Sequence, residues 1–97
     1  MNNPPVGTIT FLFTDIEGST RLWEQHPDAM RQALAQHDQI LRSKVEAHNG
    51  HIFKTIGDAF CVAFPTALDA LNAAIAAQKA IQDEDWREIG LLKVRVG

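Results

Sequence analysis

The sequence predicts an α+β domain of order βαββαβ, one antiparallel sheet with its helices on one face. Three observations carry that prediction. Residues 8–14 alternate in the manner of a strand. Two later stretches repeat apolar residues every three or four positions, as helices do. Between those stretches, two short apolar runs flank Gly57-Asp58, the pattern of a hairpin.

The first strand, 8–14, sets Ile9, Phe11 and Phe13 on one face and Thr8, Thr10, Leu12 and Thr14 on the other, and ends at Asp15. Ile16-Glu17-Gly18-Ser19-Thr20 is a polar turn that feeds a short helix over 20–25, which Pro27 interrupts. A longer helix starts at Pro27-Asp28, carries Met30, Leu34, His37, Leu41 and Val45 on one face, and stops at Asn49-Gly50. The hairpin pairs 51–56 with 59–64; the second run, Ala-Phe-Cys-Val-Ala-Phe, is apolar enough for a central strand. Thr66, with Asp69 three residues on, is a weaker form of the capping box and opens another helix. Leu68, Leu71, Ile75, Gln78 and Ile81 are its expected inward face. Beyond a polar stretch, Leu92, Val94 and Val96 alternate with Lys93 and Arg95 to start a fourth strand. This order is the ferredoxin-like split βαβ unit, whose third strand lies antiparallel between the first and second. The fourth strand is still running at Gly97, so the expectation is a domain truncated in or after that strand, with residues 1–7 as a disordered lead-in.

Composition narrows the class. The 97 residues form at most one small domain, and 45% hydrophobic with 22% charged residues is ordinary for a globular chain. The net charge of −3 and nine scattered Lys and Arg offer no row of cations for nucleic acid. A lone cysteine, Cys61, excludes an internal disulfide and fits a reducing compartment. The N-terminus lacks the basic-then-apolar pattern of a signal peptide, and no segment approaches the roughly 20 apolar residues of a membrane span. The expected location is cytoplasmic, with no membrane contact from this segment.

The topology brings two acids together. Asp15 ends the first strand and Asp58 begins the third; antiparallel neighbours place the end of one beside the start of the other. Two such carboxylates repel unless one is protonated or a cation joins them. Hard oxygen ligands suit Mg²⁺ or Mn²⁺. Beside them, Gly18-Ser19-Thr20 opens a helix, whose free N–H groups and dipole favour an anion. Together these groups suggest a site for a metal-bound triphosphate.

At these residues a resemblance becomes specific. Phe11-Leu12-Phe13-Thr14-Asp15-Ile16-Glu17-Gly18-Ser19-Thr20-Arg21-Leu22 resembles the first signature of the class III adenylate and guanylate cyclases, and Phe53-Lys54-Thr55-Ile56-Gly57-Asp58-Ala59-Phe60 their second. The likeness covers nearly all of this chain and the N-terminal part of the family's catalytic domain. It implies a nucleotidyl cyclase that makes a cyclic nucleotide and pyrophosphate with two metal ions. Asp15 and Asp58 would ligate both ions and the Ile16 carbonyl would add a ligand. Gly18, Ser19 and Thr20 would hold the β- and γ-phosphates. Lys54 stands where adenylate cyclases carry the Lys that accepts adenine and guanylate cyclases a Glu, which implies ATP in preference to GTP. Both acids and Lys54 lie in one chain, which implies a homodimer with two equivalent sites. Ser19 departs from the aromatic residue of many relatives, although Glu-Gly-Ser-Thr resembles a bacterial subgroup. The family's second base-selecting residue and its transition-state Asn and Arg fall beyond Gly97, so this segment alone is expected to bind metal and to turn over little.

Plainer readings stand beside this one. Singly, Asp15 is also a common helix cap and Asp58 a common turn residue. His26, His37, His48 and His51 read as surface or partly buried residues rather than a metal cluster, since no carboxylate pattern accompanies them. Cys61 reads as core, Trp23 and Trp86 as packing residues, and Glu17 with Arg21 as a pair across a helix turn. Two other functions compete: a nucleotide-sensing or dimerisation module without turnover, and a structural domain with no ligand.

Overall fold

A computed structural model describes residues 7–97 of the chain. The expected lead-in, residues 1–7, lies outside this range apart from Gly7. The elements are β1 (Thr10–Ile16), α1 (Ser19–Gln25), α2 (Pro27–Ala47), β2 (His51–Ile56), β3 (Ala59–Phe64), α3 (Ala67–Asp83) and β4 (Val94–Val96), with a single 3-10 turn at Arg87–Ile89 before β4. The sheet runs β2-β3-β1-β4, and each neighbouring pair is antiparallel. The α+β split βαβ order is therefore present. Backbone pairing of β4 with β1 continues through Gly97, whose N–H and carbonyl both bond Phe13 at 2.8 Å.

Alternation along β1 divides the molecule. Leu12, Thr14 and Ile16 point into the core, while Phe11 and Phe13 are half exposed on the other side. β1 runs one residue past the expected end, so Asp15 lies within the strand. On β3, Phe60, Val62 and Phe64 face inward with almost no exposure.

Proline at the first helical position has no N–H to lose from the ladder, and it separates α1 from α2 cleanly. The buried stripe of α2 is Met30, Ala33, His37, Leu41 and Val45; Leu34, expected inside, is half-buried. Its C-terminus closes as the sequence suggests. Asn49 adopts φ 66° and Gly50 donates to the Val45 carbonyl at 2.9 Å. Gly50 is needed for room rather than for φ. A Cβ there would lie 2.5 Å from Val45 Cγ1 and 2.7 Å from the Phe64 ring.

α3 corrects one expectation. Its inward face is Ala70, Ala73, Ala77 and Ile81, whereas Leu68, Leu71 and Ile75 are 64, 55 and 57% exposed. Small residues on the packed side let the helix approach the sheet and α2 closely, which turns the large ones outward. Gln78 donates from Nε2 to the Val94 carbonyl at 2.7 Å, so it ties α3 to β4. The Thr66 hydroxyl accepts from the Asp69 N–H at 3.0 Å, as the cap pattern predicts.

Candidate functional site

The outer face of the sheet, opposite the helices, gathers the residues the sequence singles out. Phe11, Phe13 and Asp15 of β1 alternate onto it. Register places Cys61 opposite both Phe13 and Lys54, so Lys54 shares that face two strands away from β1. At the usual strand spacing its backbone stands about 10 Å from that of Phe13. Phe53 joins Phe11 edge-to-face at 5.8 Å, because the ladder shifts between Ile52 and Lys54. Cys61 is buried as expected, yet it sits on this face rather than in the helix-covered core.

The two acids reach the same corner by different routes. Asp58 lies in the Gly57-Asp58 turn just before β3 rather than on the strand itself. Its Oδ1 accepts the Ile16 N–H at 3.1 Å, which pins the turn to the end of β1. Asp15 is one residue away from that bond. Its carboxylate is gripped from β4: Arg95 donates from Nε to Oδ1 at 2.7 Å and from Nη2 to Oδ2 at 2.9 Å. Asp15 and Arg95 are register partners across β1 and β4. The hydrogen bond and charge of Asp15 raise the Arg95 pKa above its ordinary value, with smaller contributions from Glu17 and Asp58. Asp15, Glu17 and Asp58 are thus near enough to act on one guanidinium.

Sequence reasoning missed Arg95. The signal was available: Asp15 and Arg95 both lie on strands that become neighbours in a βαββαβ unit, and alternation puts Arg95 on the outer side. It also overstated the repulsion between the acids, since Arg95 and the Ile16 N–H already compensate them.

Next to this corner, Gly18 takes φ 68° and ψ 26° and precedes α1. The ladder of α1 begins with the Leu22 N–H on the Gly18 carbonyl at 3.1 Å. The N–H groups of Ser19, Thr20 and Arg21 therefore have no partner within the helix. Glu17 is fixed instead from the residue before β4, its N–H donating to the Lys93 carbonyl at 2.8 Å. Glu17 and Arg21 do not form an ion pair among the described residues, because Gly18 leaves Glu17 outside the helix.

The remaining candidates fall elsewhere. His37 is fully buried, with Nδ1 2.9 Å from Asp38 Oδ1 and its ring edge-to-face with Phe60. His48 bonds the Lys44 carbonyl through Nδ1 at 2.8 Å. Trp86 is buried and donates Nε1–H to the Ile81 carbonyl at 2.9 Å; Trp23 packs against the core. Among the described residues no group of three or more His, Cys, Asp or Glu is arranged to hold a metal, and no helix is long and apolar enough to cross a membrane. The candidate centre has two such side chains, Asp15 and Asp58, with a backbone carbonyl as its third oxygen donor. They are nevertheless hard oxygens at a partly open corner, and they fit a cation that completes its shell with water and phosphate.

The family model described as the adenylate and guanylate cyclase catalytic domain matches residues 1–97, and the chain belongs to that family. It is 45% identical over 85 residues to an adenylate cyclase of Lachancea kluyveri, covering 88% of this chain and 5% of that protein. It is also 45% identical over 83 residues to an adenylate cyclase of Neurospora crassa, covering 86% of this chain and 4% of that one. A solved structure of adenylate cyclases from Trypanosoma brucei in their monomeric state superposes with TM-score 0.89 at 29% identity, covering 99% of this chain and 57% of that one. The chain thus spans a small fraction of its curated relatives and just over half of the solved domain.

Proposed function

We propose that this chain is the N-terminal portion of an adenylate cyclase catalytic domain, converting ATP to cyclic AMP and pyrophosphate at a homodimer interface. The observation that carries the reading is the Ile16 N–H to Asp58 Oδ1 bond. It joins the two signature segments and sets both acids at one corner, beside the free N–H groups that open α1. Asp15, Asp58 and the Ile16 carbonyl would hold two Mg²⁺ or Mn²⁺ ions. Such ions would lower the pKa of the ribose 3′-hydroxyl and offset the charge of the leaving pyrophosphate.

The protein's own groups do the rest. Asp15 and Asp58 supply fixed negative charge, and the Ile16–Asp58 bond orients one carboxylate before any ligand arrives. The N–H groups after Gly18, with the Ser19 and Thr20 side chains, receive the β- and γ-phosphates, where a Cβ at residue 18 would be strained by the left-handed backbone. Lys54 projects from the same outer face to accept the adenine. Homodimerisation is supported by the exposed Phe11, Phe13, Phe53 and Ile56 on that face, since an aromatic patch on a monomer marks an interaction surface.

The test is cyclic nucleotide production by the full-length native polypeptide with Mn²⁺ and either ATP or GTP, beside Asp15→Asn. Cyclic AMP is expected, falling by roughly 100-fold or more in the variant, because several kcal/mol of charge stabilisation depends on the ions. Cyclic GMP would overturn the role given to Lys54. No product from a folded dimer that binds ATP would leave a nucleotide-sensing module.

A further inference from the structure

Two carboxylates beside one another ordinarily call for a cation, and a cation is already present. Arg95 covers both oxygens of Asp15 with a two-point fork, at 2.7 and 2.9 Å. A guanidinium in this geometry uses the in-plane lone pairs of the carboxylate. A divalent ion bound at the same carboxylate needs some of those lone pairs. The second acid is engaged as well, through the Ile16 N–H on Asp58 Oδ1. The two contacts differ in kind: an N–H on one oxygen leaves the other untouched, whereas the fork engages both oxygens, one lone pair on each.

We infer that Arg95 is a built-in placeholder: it pairs with Asp15 while no metal is bound, and a divalent cation competes with its fork for the Asp15 oxygens. The inference rests on the reading of Asp15 as a metal ligand. Its consequence is a metal affinity set partly by an arginine that ligates nothing. The pair is a soft lock, because Arg95 and Asp15 remain 63 and 42% exposed and water screens their attraction. It offsets the charge of Asp15 without metal, and it yields when a doubly charged ion arrives. Arg95 is a positioning residue in this role, acting through Asp15.

Calorimetric titration of Mn²⁺ into the full-length native polypeptide, without nucleotide, tests the placeholder. The proteins compared are the wild type, Arg95→Gln, Arg95→Lys, Lys93→Gln, Asp15→Asn and Asp58→Asn. Lys93 carries the same charge two residues away, and it meets Glu17 only through its backbone carbonyl, which accepts the Glu17 N–H. Removing the fork is expected to tighten Mn²⁺ binding about fivefold in Arg95→Gln. Arg95→Lys should gain part of this while keeping the charge, and Lys93→Gln no more than about twofold. Equal affinities for wild type and Arg95→Gln would overturn the placeholder, as would a Lys93→Gln gain as large as that of Arg95→Gln. Binding that Asp15→Asn and Asp58→Asn abolish, with no effect of Arg95, would remove the placeholder and keep the metal site. No Mn²⁺ binding by any of these proteins would overturn the metal site itself.

Discussion

The two faces of this sheet are built from the same strands and answer to different demands. On the inner face Leu12, Ile16, Phe60, Val62 and Phe64 are sealed under α2 and α3, and each is at most 8% exposed. On the outer face Phe11, Phe13, Phe53 and Ile56 stay about half exposed, interleaved with Asp15, Lys54 and Arg95. Similar aromatic side chains therefore do opposite work one strand apart. Inside they supply the apolar burial that drives folding. Outside they surround the charges and leave surface for a partner. A single strand, β1, contributes to both through its two-residue period, so a slip of one residue would bury Asp15 and expose Ile16.

The sharpest way to break the comparison is to empty the inner face. Phe64→Ala should cost about 3–5 kcal/mol of stability, because the ring is fully buried between β3 and the end of α2. Thermal or denaturant unfolding measures this, and a loss as small as that of a surface change would mean the inner face is not the core. Crowding the same spot should cost less. Gly50→Ala places a methyl group against Val45 and the Phe64 ring, and overpacking of this kind costs about 1–3 kcal/mol. Unchanged denaturation midpoints would show that Phe64 moves aside freely.

The smallest effect on stability belongs to the outer face. Phe13→Ser should shift unfolding of the monomer by no more than about 0.5 kcal/mol, as expected of a half-exposed position. Its effect should appear in association instead, where losing an aromatic anchor weakens a dimer about tenfold. Sedimentation across a concentration series reads this directly. A variant that loses stability and keeps its association would mean the two faces do not divide the labour as described.

Much of this was legible in the chain. Alternation located β1, and Gly57-Asp58 between apolar runs placed the hairpin to the residue. Pro27 and Asn49-Gly50 marked the ends of α2, since each acts through local backbone geometry. The corner itself was legible because the βαββαβ order makes the first and third strands neighbours. Periodicity failed on α3 because it ranks residues by size and apolarity. There the packed side is an alanine stripe, and only the proximity of α2 and the sheet determines that small residues face inward.

What the sequence determined by itself was therefore local and topological: the element order, the caps, the two acids and the glycine before α1. What the tertiary structure decided was which side each residue serves and which charge meets which. Cys61 reads as core until register puts it opposite Phe13 and Lys54 on the outer face. Asp15 reads as an acid in need of a metal until β4 brings Arg95 across to it. Both outcomes depend on strand pairing between distant segments. Local propensity carries no information about such pairing, and the helices that select one face of the sheet for burial complete it.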